Sequence, residues 1–353
     1  MKRKVKISLM FIFMILLFSC DYETHVINTV HGDGSVTRKV IVKNSEKKFE
    51  PDEFRVPIDS TWQTEISFDV NENNDTTWIL TAEKYFASVE EINAEYKADS
   101  GSNREMQRSA HFSRSFKWFT TVFRFSEQVE KMLTVSCPMS DFFTDEELKF
   151  IYLPNKVQAD LQNGPDSTMF KEMADTTDAK SEQWLWTTFA RQWIEIFYDL
   201  FGDDPELTIE KEEMMLKVPR FVQQAVDEED DSLAQFFIPI LGEEFYYTFE
   251  TEIDSSVSVL EDSTDIYFSV NSYDMEIRMP GRIIASNGYA DTNPDSLDSG
   301  GILWTVKGDY FLTERYEMWV ESQIPNYWAW IVTAVFVLFV ITGLVVRSRK
   351  GKD

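Results

Sequence analysis

The segment WAWIVTAVFVLFVITGLVV, which runs from Trp328 to Val346, determines the architecture of this chain because its nineteen residues include no charged side chain. At a helical rise of ~1.5 Å per residue the segment would be roughly 28 Å long, close to the ~30 Å hydrocarbon core of a bilayer. A core helix of this length would carry a polar stripe, which this segment lacks. We therefore predict a transmembrane helix over residues 327–346.

Residues that favour the membrane surface flank this segment on both sides. The aromatic residues at its start are Tyr327, Trp328 and Trp330, and the basic residues after it are Arg347, Arg349, Lys350 and Lys352. Indole and phenol rings favour the headgroup layer, and basic residues accumulate on the cytoplasmic side. We expect both groups to act as membrane-interface anchors and residues 347–353 to form a cytoplasmic tail.

A second hydrophobic segment lies at the start of the chain. Basic residues precede the apolar run from Ile7 to Phe18, whose twelve residues are too few to span a bilayer, so we predict a signal peptide over residues 1–19. The run ends in LFSC, residues 17–20, which resembles the lipobox of bacterial lipoproteins. That resemblance implies that Cys20 becomes the first residue of the mature chain and carries acyl chains such as palmitate.

Both signals place residues 21–325 outside the cytoplasm. A chain that also threads the cytoplasmic membrane cannot leave it for an outer membrane, so we expect the inner membrane of a bacterium. Asp21 resembles the residue that retains some bacterial lipoproteins there.

Charge and cysteine content limit the partners. With 61 acidic and 34 basic residues the net charge is -27, which disfavours nucleic acid and anionic headgroups. If Cys20 is lipidated, Cys137 has no cysteine with which to pair, and we predict that it is a buried structural thiol.

The body between the two membrane signals alternates between strand and helix patterns. Asp33-Gly34 predicts a hairpin between residues 22–30 and 35–43, and the aromatic run from His111 to Phe125 predicts one long strand. The pattern turns helical from Ser140 to Glu250, and strand patterns return at residues 255–259 and 265–279.

The expected fold class is α+β, with an antiparallel β-sheet domain, a central helical insertion and one C-terminal transmembrane helix. The predicted divisions are residues 1–19 (signal peptide), 20–139 (first part of the β-rich domain), 140–250 (helical insertion), 251–325 (second part of the β-rich domain), 327–346 (transmembrane helix) and 347–353 (tail).

Several short motifs in the β-rich parts resemble one family. They are Asp33-Gly34-Ser35 in the opening hairpin, Pro280-Gly281, Asn287-Gly288 and a strand containing Trp304 that precedes the last strand before the membrane helix. This arrangement resembles the LppM-type family of extracytoplasmic lipoprotein domains over about 60 residues. The resemblance implies an antiparallel α+β domain with lipid or glycolipid handling, and it assigns no catalytic residue.

The sequence leaves three classes of function open. No nucleophile, zinc, phosphate or dinucleotide motif is present, so we assign no catalytic residue, metal site or cofactor. The abundant aromatic residues favour a tethered, non-catalytic module that binds an apolar ligand or lipid between its sheet and its helices. The same residues could instead fill an ordinary aromatic core without binding a ligand. The alternatives are a scaffold that docks an envelope protein through the helical block, and a hydrolase that uses only carboxylates.

Overall fold

The computed structural model describes residues 23–49, 54–71, 74–100, 106–165, 167–205, 207, 209–228, 233–269, 272–290 and 300–350. The predicted signal peptide and Cys20 therefore lie outside the described residues, as does most of the acidic run from Asp227 to Asp231.

Seven strands form the larger sheet. In chain order they are β1 (Glu23–Val30), β2 (Val36–Asn44), β3 (Gln63–Val70), β4 (Thr76–Phe86), β7 (Tyr273–Arg278), β9 (Tyr289–Ala290) and β10 (Ile302–Val306). Their order across the sheet is β3-β4-β2-β1-β7-β10-β9. Neighbouring strands are antiparallel except for β1 and β7, which run parallel and so join the two parts of the β-rich domain.

The turn between β1 and β2 follows directly from its sequence. The Asp33 carboxylate accepts hydrogen bonds from the Ser35 amide at 3.0 Å and from the Ser35 hydroxyl at 2.7 Å. Gly34 has a φ of 96°, and a Cβ there would lie 2.8 Å from the Phe112 ring. The hairpin predicted from Asp33-Gly34 is therefore confirmed.

Four strands form the smaller sheet, in the order β5-β6-β11-β8. They are β5 (Arg108–Lys117), β6 (Thr120–Val129), β8 (Arg282–Ser286) and β11 (Tyr316–Pro325). All neighbours are antiparallel, and β11 is an interior strand between β6 and β8.

The two sheets pack face to face and, with helix α1 (Val89–Ala98), enclose one hydrophobic core. Val40 of the larger sheet, Ile92 of α1 and Phe125 of the smaller sheet are all buried in it. We call this unit the sandwich.

The helical block is inserted between β6 and β7. Its helices are α2 (Asp145–Ile151), α3 (Asn155–Gln162), α4 (Ser167–Phe201), α5 (Lys211–Glu228), α6 (Leu233–Leu241), α7 (Glu243–Thr248) and α8 (Glu250–Ser269). They enclose a second core around Trp184, Phe197 and Phe237, which extends to Cys137 and Leu312. The helices thus pack mainly on one another, and each unit has a core of its own.

Several predicted boundaries were wrong. The strand predicted from His111 to Phe125 is a hairpin, because Trp118 and Phe119 form a two-residue turn between β5 and β6. The strand patterns at residues 255–259 and 265–269 lie within helix α8, which buries Ile253, Val257 and Leu260 at helical spacing. The helical insertion therefore ends at Ser269 and not at residue 250.

The fold class is nevertheless the one predicted: mixed α and β structure with mainly antiparallel sheets, followed by one apolar C-terminal helix. That helix, α9, runs from Tyr327 to Lys350.

Candidate membrane-interface site

Helix α9 is long and apolar enough to cross a membrane. Its segment from Tyr327 to Arg347 is strongly apolar, and almost none of it is buried against the rest of the chain. Large apolar side chains such as Phe336, Leu338 and Phe339 are exposed along its length. An exposed apolar surface of this size is typical of a helix that contacts a membrane or another protein.

A single residue, Asn326, separates strand β11 from helix α9. Its amide donates to the Phe119 carbonyl at 2.8 Å, and its carbonyl accepts from the Ala329 amide at 2.9 Å. The side-chain oxygen accepts from the Thr121 hydroxyl at 2.9 Å. The side-chain amide donates to the carbonyls of Lys117 at 2.9 Å and Trp118 at 3.3 Å. Asn326 thus ties the end of β11, the start of α9 and the β5–β6 turn together.

Aromatic contacts strengthen the same connection. The hairpin tip, defined as Phe116 to Phe119, lies against the first two turns of α9. Phe116 stacks on Trp328 with ring centroids 6.1 Å apart, Trp118 meets Trp328 edge-on at 5.4 Å, and Phe119 contacts Trp330 at 4.4 Å. The Trp118 indole donates to the Thr333 hydroxyl at 2.9 Å. The hairpin tip is therefore docked on the helix.

The outer faces of these rings remain exposed. The exposed fraction is 55% for Phe116, 48% for Trp118 and 36% for Phe119. Together with α9 they form a continuous apolar surface at the junction of body and helix. We call the hairpin tip with Tyr327, Trp328 and Trp330 the aromatic collar.

The predicted anchor residues occupy the two ends of α9. Tyr327, Trp328 and Trp330 are exposed in its first turn, and Trp328 and Trp330 contact the hairpin tip. Arg347, Arg349 and Lys350 lie in its last turns, at the opposite end. Their membrane role stays a prediction, as does lipidation of Cys20. Sequence reasoning missed the hairpin tip, although aromatic residues on both sides of Lys117 were a visible signal.

A buried charged network lies between the two sheets. The Arg38 guanidinium pairs with the Glu127 carboxylate and donates to Asn28 Oδ1 at 2.7 Å and Tyr96 Oη at 2.5 Å. Tyr96 in turn donates to Glu127 at 3.2 Å. Arg38 is 1% exposed and Glu127 is 3% exposed. Because solvent does not reach the pair, we interpret it as a structural element of the sandwich.

Titratable groups also join the sandwich to the helical block. Burial lowers the pKa of Lys307, and the carboxylates of Asp309, Asp178 and Asp274 oppose that shift. Nearby, the Tyr310 hydroxyl donates to the Ile151 carbonyl at 2.6 Å. The Tyr310 hydrogen bond ties the helical block to the sandwich.

Cys137 is buried as predicted, and burial raises the pKa of its thiol. Its carbonyl accepts hydrogen bonds from the Trp184 indole at 2.8 Å and the Thr313 hydroxyl at 2.9 Å. The raised pKa disfavours the thiolate, so the thiol is poorly suited to nucleophilic chemistry.

In the described part of the chain, no group of three or more His, Cys, Asp or Glu residues is placed so that it could hold a metal ion. Comparison of the chain with protein-family models, with curated proteins and with solved structures found no match.

Proposed function

We propose that this chain is a non-catalytic, membrane-tethered lipoprotein module that holds an acidic α+β body at the extracytoplasmic face of the cytoplasmic membrane. The observation that carries this proposal is the one-residue connection between the interior strand β11 and the apolar helix α9, reinforced by the docked hairpin tip. A linker-free connection of this kind transmits the orientation of the helix to the body.

The packing of the aromatic side chains bears on the ligand. Phe86, Phe125 and Phe311 are buried in the sandwich, whereas Trp184 and Phe197 are buried in the helical block. Side chains used in this way support an ordinary aromatic core more than a lipid cavity between sheet and helices. We propose that the β-rich part resembles the LppM-type family in its fold. We do not propose that it holds a lipid in a buried pocket, as the lipid handling implied by that family would suggest.

Lipidation of Cys20 is tested by growing cells with an alkyne analogue of palmitate and recovering the full chain. We expect label on the wild-type chain and on Cys137→Ser, which removes the other cysteine, and none on Cys20→Ser. Label that persists in Cys20→Ser, or is absent from the wild-type chain, would remove the N-terminal tether from the proposal.

A second candidate function is docking of a partner at strand β3. This strand is at the edge of the larger sheet, and all eight of its residues are exposed. Ile66, Phe68 and Val70 point to one side, and Glu65 and Asp69 point to the other. The helical block, which the sequence favoured as a docking surface, encloses a core of its own, and docking through its outer surface stays a prediction.

The charge pattern of β3 favours one kind of occupant. A strand added beside it would place alternate residues opposite the apolar and the acidic side chains, so we propose an extended segment of an envelope protein with alternating apolar and basic residues. A second copy of this chain would bring the same acidic residues and a net charge of -27 to the edge.

Two peptides of equal composition test this docking, one alternating lysine and valine and one with the same residues scrambled. We expect the alternating peptide to protect the outward amides of β3 from hydrogen exchange and the scrambled peptide to leave them unchanged. Equal protection by both would indicate plain charge attraction and would exclude strand addition, as would protection by neither.

A further inference from the structure

We propose that the hairpin tip is itself a membrane-binding element that enters the headgroup layer beside helix α9. This inference rests on the proposal that α9 spans the bilayer, and it names a second surface of the chain that contacts lipid. The occupant is the outer surface of the bilayer, and the residues that meet it are Phe116, Lys117, Trp118 and Phe119.

The depth of the hairpin tip follows from its contacts with α9. Trp118 donates to Thr333, five residues beyond Trp328. At ~1.5 Å per residue this bond lies roughly 8 Å further along the helix than Trp328. If Trp328 and Trp330 mark the headgroup layer, then Trp118 reaches at least the same depth. A bilayer around α9 therefore has to accommodate the hairpin tip as well.

The chemistry of the hairpin tip suits that environment. Three half-exposed aromatic rings surround Lys117, whose long apolar stem allows its ammonium group to reach the headgroups. Phenylalanine and tryptophan rings bury ~150–250 Å² each, so their exposed halves offer a substantial apolar surface. Such aromatic and basic residues are typical of protein surfaces at the membrane interface.

The hairpin is also exceptional in charge. Residues 108–126 contain Arg108, Arg114, Lys117 and Arg124 but no aspartate or glutamate, in a chain that has 61 acidic residues. Arg124 is paired with Glu317 and Glu321 of β11, and Arg108 lies over the Tyr96 ring. Arg114 and Lys117 are exposed near the turn. The whole-chain charge, which disfavours anionic headgroups, thus does not describe this end of the molecule.

Lipid contact can be compared at four phenylalanines of the full chain. The photoreactive residue p-benzoylphenylalanine replaces Phe116, Phe119, Phe336 or Phe68, and each protein is reconstituted in vesicles of phosphatidylethanolamine and phosphatidylglycerol. Phe336 lies in the middle of α9, and Phe68 lies on the edge strand β3 with an exposed fraction of 61%, close to the 55% of Phe116. After irradiation, mass spectrometry measures the lipid adducts of each peptide.

We expect abundant lipid adducts at positions 336, 116 and 119 and about tenfold fewer at position 68, since benzophenone reacts only with groups in contact. Adducts at 336 with only the background of position 68 at 116 and 119 would overturn this inference and leave the spanning helix intact. Absence of adducts at 336 would overturn the spanning helix itself. Equal adducts at 68 and 116 would mean that lipid contact is not specific to the hairpin tip, and would also overturn the inference.

Discussion

Replacing Asn326 with alanine should loosen the connection between the hairpin tip and helix α9 without unfolding the body. The substitution removes three side-chain hydrogen bonds, two at 2.9 Å and one at 3.3 Å. At ~1 kcal/mol for each short bond and less for the long one, the local loss is about 2 kcal/mol. Because 1.4 kcal/mol corresponds to a factor of ten, opening of the hairpin tip should become about 30-fold more frequent.

Amide hydrogen exchange of residues 117–121, measured on the full chain in lipid nanodiscs, reports this opening directly. Asn326→Asp keeps an acceptor for Thr121 but places a carboxylate oxygen against the Lys117 and Trp118 carbonyls, so its exchange should be at least as fast as that of Asn326→Ala. Asn163→Ala is the matched control, because it removes an exposed bond to the Ala159 carbonyl in the helical block.

The exchange at residues 117–121 should be unchanged in Asn163→Ala. A change of less than about threefold in Asn326→Ala, which corresponds to under ~0.7 kcal/mol, would refute the assignment of Asn326 as the connecting residue.

The remaining predictions concern the stability of the body. Arg38→Met leaves the Glu127 carboxylate buried without its cation, so the free energy of unfolding measured in urea should fall by about 3–5 kcal/mol. The double variant Arg38→Met, Glu127→Leu should recover part of this loss. A loss below ~1 kcal/mol for Arg38→Met would contradict a buried pair. Gly281 has a φ of 79°, and a Cβ there would lie 2.5 Å from the Gln323 carbonyl oxygen. Gly281→Ala should therefore lower the melting temperature, whereas Gly343→Ala, where a Cβ meets open space, should not. Hydrogen bonds from the Lys180 ammonium group and from the Thr144 amide lower the pKa of Glu147. The stabilisation provided by the ionised Glu147 carboxylate is complete above its ordinary pKa of roughly 4.3 and is lost as the pH falls through the lowered pKa. Glu147→Gln should therefore reduce the pH dependence of the unfolding free energy in this acidic range.

Local signals account for the parts of the fold that sequence could predict. The turn at Asp33-Gly34 closes through bonds within three residues, so the hairpin β1–β2 needs no distant partner. The signal for helix α9 is equally local, because nineteen consecutive residues without a charge are enough to predict a membrane-spanning helix. Burial of Cys137 followed from its apolar neighbours.

Distant contacts account for the errors. The turn between β5 and β6 consists of Trp118 and Phe119 and contains no glycine, proline or asparagine that would indicate a turn. It is stabilised by Asn326, more than two hundred residues further along the chain. The sequence of helix α8 contains many β-branched and aromatic residues, which favour strands, and it is helical because Ile253 and Val257 pack in the core of the helical block. Neither partner can be identified from the local sequence.

The aromatic collar lies between these two cases. Its half from α9 was predicted from the sequence next to the apolar segment, whereas the hairpin tip joins it only through tertiary structure. The charge of the chain behaves in the same way, since a net charge of -27 conceals a segment, residues 108–126, that contains no acidic residue. Averages over the chain therefore miss the surface that we propose to face lipid.

The most direct test of the account is the side of the membrane on which each end of α9 lies. Full-length chains with Glu46→Cys, in the exposed loop after β2, or Ser348→Cys, in the last turn of α9, are treated in intact cells with a maleimide that cannot cross membranes once the outer envelope is made permeable. The account predicts that Cys at position 46 reacts at once and that Cys at position 348 reacts only after the inner membrane is lysed. Reaction of both positions in intact cells, or of neither, would contradict it.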